Sequence, residues 1–300
     1  MTASDGSGPP LQVIGMGMAA DALSQPARTA LEQAELLIGA AAHLDLFPQL
    51  TAEKQPYPSP MSDLWPLLQA NAGRRIVVLA SGDPLFYGIS HTLLRHLSPE
   101  QLVFHPNVSS IQAACARLGR PWQQLQLVSL HGRPLASLRA VLRNNRSYAL
   151  LTDRHNTPTA IARVLVETGF DASELWVAEE LGAPGERVRR FRADQLAVNP
   201  PEFSPLNVVL LETRGPGGVL PEFPGIPDHH FSTGAEPGKG LLSKREVRLS
   251  ILSLLAPCAG EIGWDVGAGC GGVAVEWARW NPHGEVHAVE CHPDRLSHLA

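Results

Sequence analysis

The stretch "LASGDPLFYG", residues 79–88, decides how most of this 300-residue chain is read. An apolar, β-branched run leads into it from Arg75, so a buried strand meets a loop near Ser81. The pair Asp83-Pro84 then has two meanings. Asp is a favoured N-cap and Pro a favoured first helical residue, which predicts a capped helix over Pro84–Leu97. The same carboxylate on the same loop could instead serve a ligand at the end of the strand.

Upstream, "LQVIGMG" (11–17) predicts a strand ending in a tight glycine turn, and "QPARTALEQAELL" (25–37) a helix with Pro26 at its start. A short helix is expected over Asp63–Asn71. Downstream, "QLVFHP" reads as a strand, and "SSIQAACARLG" (109–119) as a helix stopped by Gly119. Ser109 and Ser110 either cap that helix or offer hydroxyls and amides to a ligand. The βα rhythm goes on through strand 124–132, helix Leu135–Arg143, strand 147–153 and helix Thr157–Glu167. Strands 174–181, 187–192 and 206–212 follow with little helix between them, so part of that sheet should be antiparallel.

Residues 213–240 are dense in Gly and Pro and keep no hydrophobic period, which suggests a linker over 214–240. The rhythm then restarts with helix Ser243–Leu255, strand Glu261–Val266, helix Gly272–Trp280 and strand 285–290. Between the first strand and its helix lies "DVGAGCGG" (265–272). Gly267, Gly269 and Gly271 let the backbone turn sharply and lay bare amides at a helix start. Glu290 ends the next strand, where a carboxylate can accept hydrogen bonds from ribose hydroxyls. NAD and S-adenosylmethionine (SAM) both use this arrangement, and a plain turn also fits. Asp265 favours SAM, because a dinucleotide turn usually has an apolar residue there. A doubly wound domain needs ~100–150 residues, so a domain starting at residue 241 is expected to be incomplete here.

Hydrophobic residues make up 44% and charged residues 18%, which suits a globular chain with a substantial core. A net charge of −5 without basic blocks argues against bulk nucleic-acid binding. No apolar run reaches the ~18 residues a bilayer span requires, and residues 1–10 read as a disordered leader rather than a signal peptide. The cationic residues are nearly all Arg, which suits carboxylate recognition but equally a GC-rich genome. Cys115, Cys258, Cys270 and Cys291 form no CxxC pair, so neither a zinc site nor a disulfide framework is expected, and the cytoplasm is the simplest home.

Three of these segments together resemble the tetrapyrrole methylase family, SAM-dependent enzymes that modify porphyrin-like rings. The family carries a GxGxG turn at its first strand, a GDP turn after a later strand and a P-G-V-S/T-S/A segment entering a helix. Here they stand as Gly15-Met16-Gly17, Gly82-Asp83-Pro84 and Pro106-Asn107-Val108-Ser109-Ser110. The resemblance covers residues 11–213 and departs twice: Met18-Ala19-Ala20-Asp21 replaces the usual Pro-Gly-Asp, and Asn107 stands where glycine is usual. It implies a two-lobed α/β fold of the class III SAM methyltransferase type, with lobes 11–105 and 106–213. It also implies a SAM site between the lobes near Met18, Ser81, Gly82, Asp83, Phe86, Ser109, Ser110, Thr152 and Gly182.

"VSLHGR" (128–133) and "LLTDRHNTPTAIA" (150–162) resemble the branch that methylates C5 of a corrin precursor in cobalamin synthesis. Such rings carry many carboxylates. His131, Arg133, Arg154 and His155 are candidate partners by charge and loop position, or else ordinary solvated surface. "GIPDHHF", "GLLSKREVRLSILSLL" and "WDVGAGCGGVAVEWAR" resemble the C15-methylating, decarboxylating domain often fused behind that branch, which has a Rossmann-like class I SAM fold. That domain would hold SAM through Ser243, Gly267, Ala268, Gly269, Cys270, Gly271 and Glu290. Charge, hydropathy and Cys and His spacing together lead us to expect no metal ligand set and no nucleic-acid or membrane partner, and a homo-oligomer is expected. Rival readings are another methylase of the same fold acting on sirohaem precursors or diphthine, an NAD-dependent dehydrogenase, and a non-catalytic scaffold.

Overall fold

The computed structural model describes residues 8–19, 22–215, 217, 224–233, 242–281 and 283–299. Residues 1–7 of the expected leader and 216, 218–223 and 234–240 of the expected linker lie outside these. The chain divides into two compact units, Met1–Gly215 and Pro216–Ala300.

The first lobe of unit 1 is built on β1 (Leu11–Gly15), β2 (Leu36–Gly39), β3 (Glu53–Pro56), β4 (Ile76–Ala80) and β5 (Leu102–His105). These run in the order β3-β2-β4-β1-β5, and every neighbouring pair is parallel. Parallel strands are joined by helices that cover both faces, so central strands become apolar throughout. Every residue of β2 and β4 is buried. Ile14, Leu37 and Leu79 meet α1 (Gln25–Glu32) and α2 (Ala41–Leu44). Val13, Ile38 and Val78 meet α3 (Leu64–Ala70) and α4 (Ser90–Leu93) on the other face. Each such Leu, Ile or Val contributes ~1.5–3 kcal/mol by leaving water.

Two local expectations fail in this lobe, and one strand has no signal in the sequence. The helix expected over 25–37 ends at Glu32, and Leu36–Gly39 becomes β2, because burial on two faces outweighs helix propensity. The edge strand β3, "EKQP", has no apolar alternation and holds its place by backbone pairing with β2. The helix expected over Pro84–Leu97 shrinks to Ser90–Leu93. Tyr87 has φ 53°, which breaks a helical path, and Asp83 does not cap one.

The second lobe opens with α5 (Ser110–Leu118), whose limits match the sequence reading. Ser109 Oγ accepts the Gln112 N–H at 3.2 Å, Gln112 Oε1 accepts the Ser109 N–H at 2.9 Å, and Gly119 ends the helix at φ 61°. Such a reciprocal cap is worth ~1 kcal/mol. Next come β6 (Gln126–Ser129), α6 (Ala136–Val141), β7 (Ser147–Leu151), α7 (Pro158–Glu167), β8 (Glu174–Glu179), β9 (Arg187–Arg192), α8 (Ala193–Val198) and β10 (Asn207–Glu212). The strand order is β6-β7-β10-β8-β9. Only β6 and β7 pair in parallel, so the antiparallel part expected from the last three strands is present. Leu150, Val177 and Val209 pack on α7, while Ala149, Trp176 and Leu210 pack on α5.

Unit 2 contains α9 (Arg245–Leu255), β11 (Ile262–Val266), α10 (Gly272–Trp280), β12 (Glu285–Val289) and α11 (Pro293–Leu296), with β11 and β12 parallel. Residues 224–233, inside the stretch read as linker, pack on this unit through charge. Arg248 and Glu276 are fully buried. Glu276 accepts the N–H groups of Gly225 at 3.1 Å and Ile226 at 2.6 Å. Arg248 donates to Asp228 Oδ1 at 2.7 Å, to the Ser243 carbonyl at 2.6 Å and to the Ile226 carbonyl, and lies over the Phe231 ring. Ile262, Trp264 and Val266 of β11 are exposed.

Candidate active site

In unit 1 the loops leaving the C-terminal ends of β1, β4 and β5 converge, where parallel α/β sheets bind ligands. The Met16 N–H donates to the Ala80 carbonyl at 2.8 Å and the Gly17 N–H to the Gly82 carbonyl at 3.1 Å. A Cβ on Gly15 would stand 2.5 Å from the Gly82 oxygen and 2.8 Å from Pro84 Cδ, so only glycine lets these loops approach. Asp83 bridges the second and third loops: Oδ1 accepts the Leu85 N–H at 2.9 Å and Oδ2 the Asn107 N–H at 3.1 Å. The Asn107 side chain reaches the first loop, with Nδ2 donating to the Gly15 carbonyl at 3.0 Å.

Beside these loops lies an open cavity of about 280 Å³. Phe86, Trp122 and Leu127 form apolar parts of its wall, and Asp83, Ser109 and Gln112 polar parts. Gly82 faces Ser109, its Cβ position 3.4 Å from Ser109 Cα and 3.8 Å from the Ser110 nitrogen. Ser81 is exposed beside them. The two lobes touch where Gly182, at φ 81°, lies against Met18: a Cβ there would fall 2.7 Å from Met18 Cβ. Eight of the nine residues named for this site by resemblance therefore lie on one cluster of loops. Thr152 differs in role. Its hydroxyl donates to the Asn207 carbonyl at 2.6 Å, which fastens β7 to β10.

Gly182 is held from its own side. Glu186 Oε2 accepts its N–H at 2.7 Å, and the same carboxylate pairs with Arg117 of α5. The Arg117 guanidinium holds the Glu186 carboxyl below the usual range. Glu179, fully buried at the end of β8, meets Arg187 at 2.8 Å, Arg189 at 2.9 Å and the Ser204 N–H at 2.8 Å. Burial pushes its carboxyl up, but these hydrogen bonds outweigh burial and hold it down.

His131, Arg133, Arg154 and His155 are exposed on the loops that follow β6 and β7. Asp153 and Asn156, which the sequence reading did not single out, tie these loops together. Asp153 accepts the N–H groups of Asn156 at 2.7 Å, Gly132 at 2.8 Å and His155 at 2.8 Å, and these hold its carboxyl well below the ordinary range. Asn156 Nδ2 donates to the carbonyls of Leu130 at 2.6 Å and Arg133 at 2.9 Å. His131 Nδ1 lies 3.3 Å from the Thr152 carbonyl oxygen, and Arg154 Nε lies 3.0 Å from His155 Nε2. The available signal was the Asx-rich string "TDRHNTP", since Asx side chains bond nearby loop backbone.

In unit 2, Gly267, Gly269 and Gly271 take φ 83°, 60° and 79°, which accounts for glycine at all three. The Gly267 and Ala268 N–H groups donate to the Val289 carbonyl at 2.8 and 3.0 Å. Glu290 accepts the Gly269 N–H at 2.9 Å and the His292 N–H at 2.9 Å, chiefly the latter holding its carboxyl below the usual range. Asp265 accepts the Ala274 N–H at 3.0 Å, and burial pushes its carboxyl up. Cys270 is buried in the turn. Ser243 is exposed, and the neighbouring Leu242 packs on Gly272. Among the described residues no three His, Cys, Asp or Glu are grouped to hold a metal ion, and no helix is long and apolar enough to cross a membrane.

Residues 10–197 match the family described as tetrapyrrole (corrin/porphyrin) methylases, and residues 237–300 match the precorrin methyltransferase domain. The chain belongs to the tetrapyrrole methylase family and is a methyltransferase. It is 36% identical over 295 residues to the precorrin-6Y C(5,15)-methyltransferase (decarboxylating) of Sinorhizobium sp, covering 97% of this chain and 70% of that protein. A like-named protein of Mycobacterium tuberculosis (strain CDC 1551 / Oshkosh) is 35% identical over 277 residues, 89% of this chain and 66% of that one. The chain thus spans about two thirds of the length of these relatives. The cobalt-precorrin-7 C(5)-methyltransferase of Salmonella typhimurium is 36% identical over 205 residues, 68% of this chain and 100% of that protein. The fold is shared with the uroporphyrin-III C-methyl transferase of Thermus thermophilus in complex with S-adenyl homocysteine, at TM-score 0.55 and 22% identity over 68% of this chain and 97% of that one. Unit 1 therefore has the class III methyltransferase fold.

Proposed function

We propose that unit 1 transfers a methyl group from SAM to C5 of a precorrin-type ring in cobalamin synthesis. Unit 2, on this reading, belongs to a domain that methylates C15 and removes a carboxyl group. The observation that carries the first part is the gathering of Met18, Gly82, Asp83, Ser109 and Gly182 on one loop cluster beside a cavity of about 280 Å³. That volume, set among apolar walls with a few polar groups, fits part of a nucleoside-sized ligand.

SAM supplies a methyl group already activated as a sulfonium. The protein's task is then to align and to exclude water, and no covalent nucleophile is needed. Backbone amides near Gly82 and Ser110 line the loops, while Phe86 offers an apolar face. The hydroxyl of Ser109 keeps its hydrogen for a ligand, since its oxygen only accepts within the cap. His131, Arg133, Arg154 and His155 would receive the carboxylates of the ring, and Asp153 and Asn156 set the loops that present them. In unit 2, Glu290 accepts the Gly269 N–H on Oε2 and the His292 N–H on Oε1, and a lone pair on Oε2 is left for a ribose hydroxyl. The reading includes a cytoplasmic homo-oligomer.

The test is titration of the whole chain with S-adenosylhomocysteine in a calorimeter, followed by mass spectrometry on cobalt-free and cobalt-bound corrin precursors. Binding and a gain of one methyl group are expected. No heat with folded protein at millimolar ligand would overturn the reading, and saturable NADH binding in its place would favour a dehydrogenase.

A further inference from the structure

We infer that Asn107 is a positioning residue of the methyl-transfer site, the side chain that sets the Gly15–Met18 loop against the Gly82–Asp83 and Ser109–Ser110 loops. The inference rests on reading unit 1 as a SAM site. Asn107 makes bonds in three directions. Its N–H donates to Asp83 Oδ2 at 3.1 Å, its Nδ2 donates to the Gly15 carbonyl at 3.0 Å, and its Oδ1 accepts the Val108 N–H at 2.8 Å. It also fills the space over the first turn, for a Cβ on Gly17 would stand 2.6 Å from Asn107 Cγ. Gly17 has φ 59°, and with the Asn107 side chain seated over it only glycine fits at that position.

The chemistry of the amide matters here. A carboxamide donates and accepts at once and carries no charge. Alanine would leave the Gly15 carbonyl without the Nδ2–H. An ionised Asp would lack the donor and would stand beside the Asp83 carboxylate, the titratable group bonded to residue 107. The other bonded residues, Gly15 and Val108, carry no charge. The loop freed in either case carries Met18, the contact of the first lobe with Gly182. Asn107 therefore acts on the cofactor through the position of Met18.

The experiment uses the whole chain. Asn107→Ala is expected to weaken S-adenosylhomocysteine about tenfold, the equivalent of one buried hydrogen bond, and to raise KM for SAM by a similar factor. Asn107→Asp is expected to bind weakly at pH 8 and to regain affinity as pH falls toward 4, because the Asp83 carboxylate beside it raises the pKa of a carboxyl at 107 above the ordinary ~3.9 and the protonated form again offers a hydrogen to the Gly15 carbonyl. Wild-type affinity should lack that rise. Thermal unfolding at each pH separates loss of site geometry from loss of fold. Should the alanine variant fail to fold, the pH profile of Asn107→Asp carries the test. Alanine-variant affinity and KM within twofold of wild type, or an Asn107→Asp profile parallel to wild type, would overturn the inference and leave the SAM site standing. Failure of the wild type itself to bind S-adenosylhomocysteine would overturn both.

Discussion

Gly182→Ala probes the seam between the two lobes of unit 1. At φ 81° an L-residue is strained by ~1–2 kcal/mol. The new methyl group would also lie 2.7 Å from Met18 Cβ and 2.9 Å from the Met18 carbonyl carbon. Ordinary carbon contacts are ~3.5–4.0 Å, so the seam must open by about 1 Å. No rotamer relieves this, because part of what the methyl meets is backbone. Nor can the Gly182 loop swing out freely, since its N–H is bonded to Glu186 Oε2 at 2.7 Å. Overpacking of this kind costs ~1–3 kcal/mol, for a total of about 2–4 kcal/mol with the backbone strain. An opening of ~1 Å at a reacting site lowers rate by ~100-fold. The assay pairs thermal unfolding with S-adenosylhomocysteine calorimetry and methyl-transfer kinetics. A fall of several degrees in Tm with a large loss of turnover is expected. An alanine variant with wild-type Tm, affinity and rate would refute the reasoning, since it would mean that Met18 and Gly182 do not touch in solution.

Asp83→Asn should weaken S-adenosylhomocysteine and lower Tm together, because an amide nitrogen would then face the N–H of Leu85 or Asn107, at ~1–3 kcal/mol; unchanged calorimetry and melting would count against the bridge. Asp153→Asn should be less stable than wild type at pH 7. A depressed carboxyl pKa gives stability that is present above the unfolded value, ~3.9, and is lost as pH falls through the folded one, so the two urea midpoints should converge below about pH 4. Arg248→Met leaves Glu276 buried without its partner and should destabilise unit 2 by ~3–5 kcal/mol; Arg248→Met with Glu276→Gln should lose less, as read from hydrogen exchange of α9 and α10.

What the sequence revealed was periodic or punctuated. Helix α5 was legible from Ser109 to Gly119 because both ends carry their own stop signals. The antiparallel part of the second sheet followed from three strands with too little chain between them for crossovers. The break between α1 and β2 was hidden, since "EQAELL" contains neither Gly nor Pro and the strand exists only because both its faces find cover. Strand β3 has no pattern at all apart from its neighbour's backbone. Asp83-Pro84 misled for a related reason: the pair suits a helix start, but residue 83 is bonded to Asn107, 24 positions away. The residues named from family motifs, Thr152 apart, lie on one loop cluster, whereas Asn107's ties, Asp153, Asn156 and Glu186 were not singled out from the sequence. Their roles come from partners distant in sequence, which local spacing does not encode.

The Met16 N–H extends the parallel ladder of β1 and β4 by one bond past the last regular strand residue, and the Gly17 N–H is held to the Gly82 carbonyl in an isolated antiparallel bridge. Their hydrogens should therefore exchange with deuterium at sheet rates, hours rather than seconds, although they lie on what looks like a loop. The ordering entropy of these positions, ~1–2 kcal/mol per residue, is spent when the protein folds and does not recur with each turnover. A ligand arriving there meets a turn already in place. Association should follow a single fast phase whose rate rises linearly with concentration, as it does for a rigid receptor.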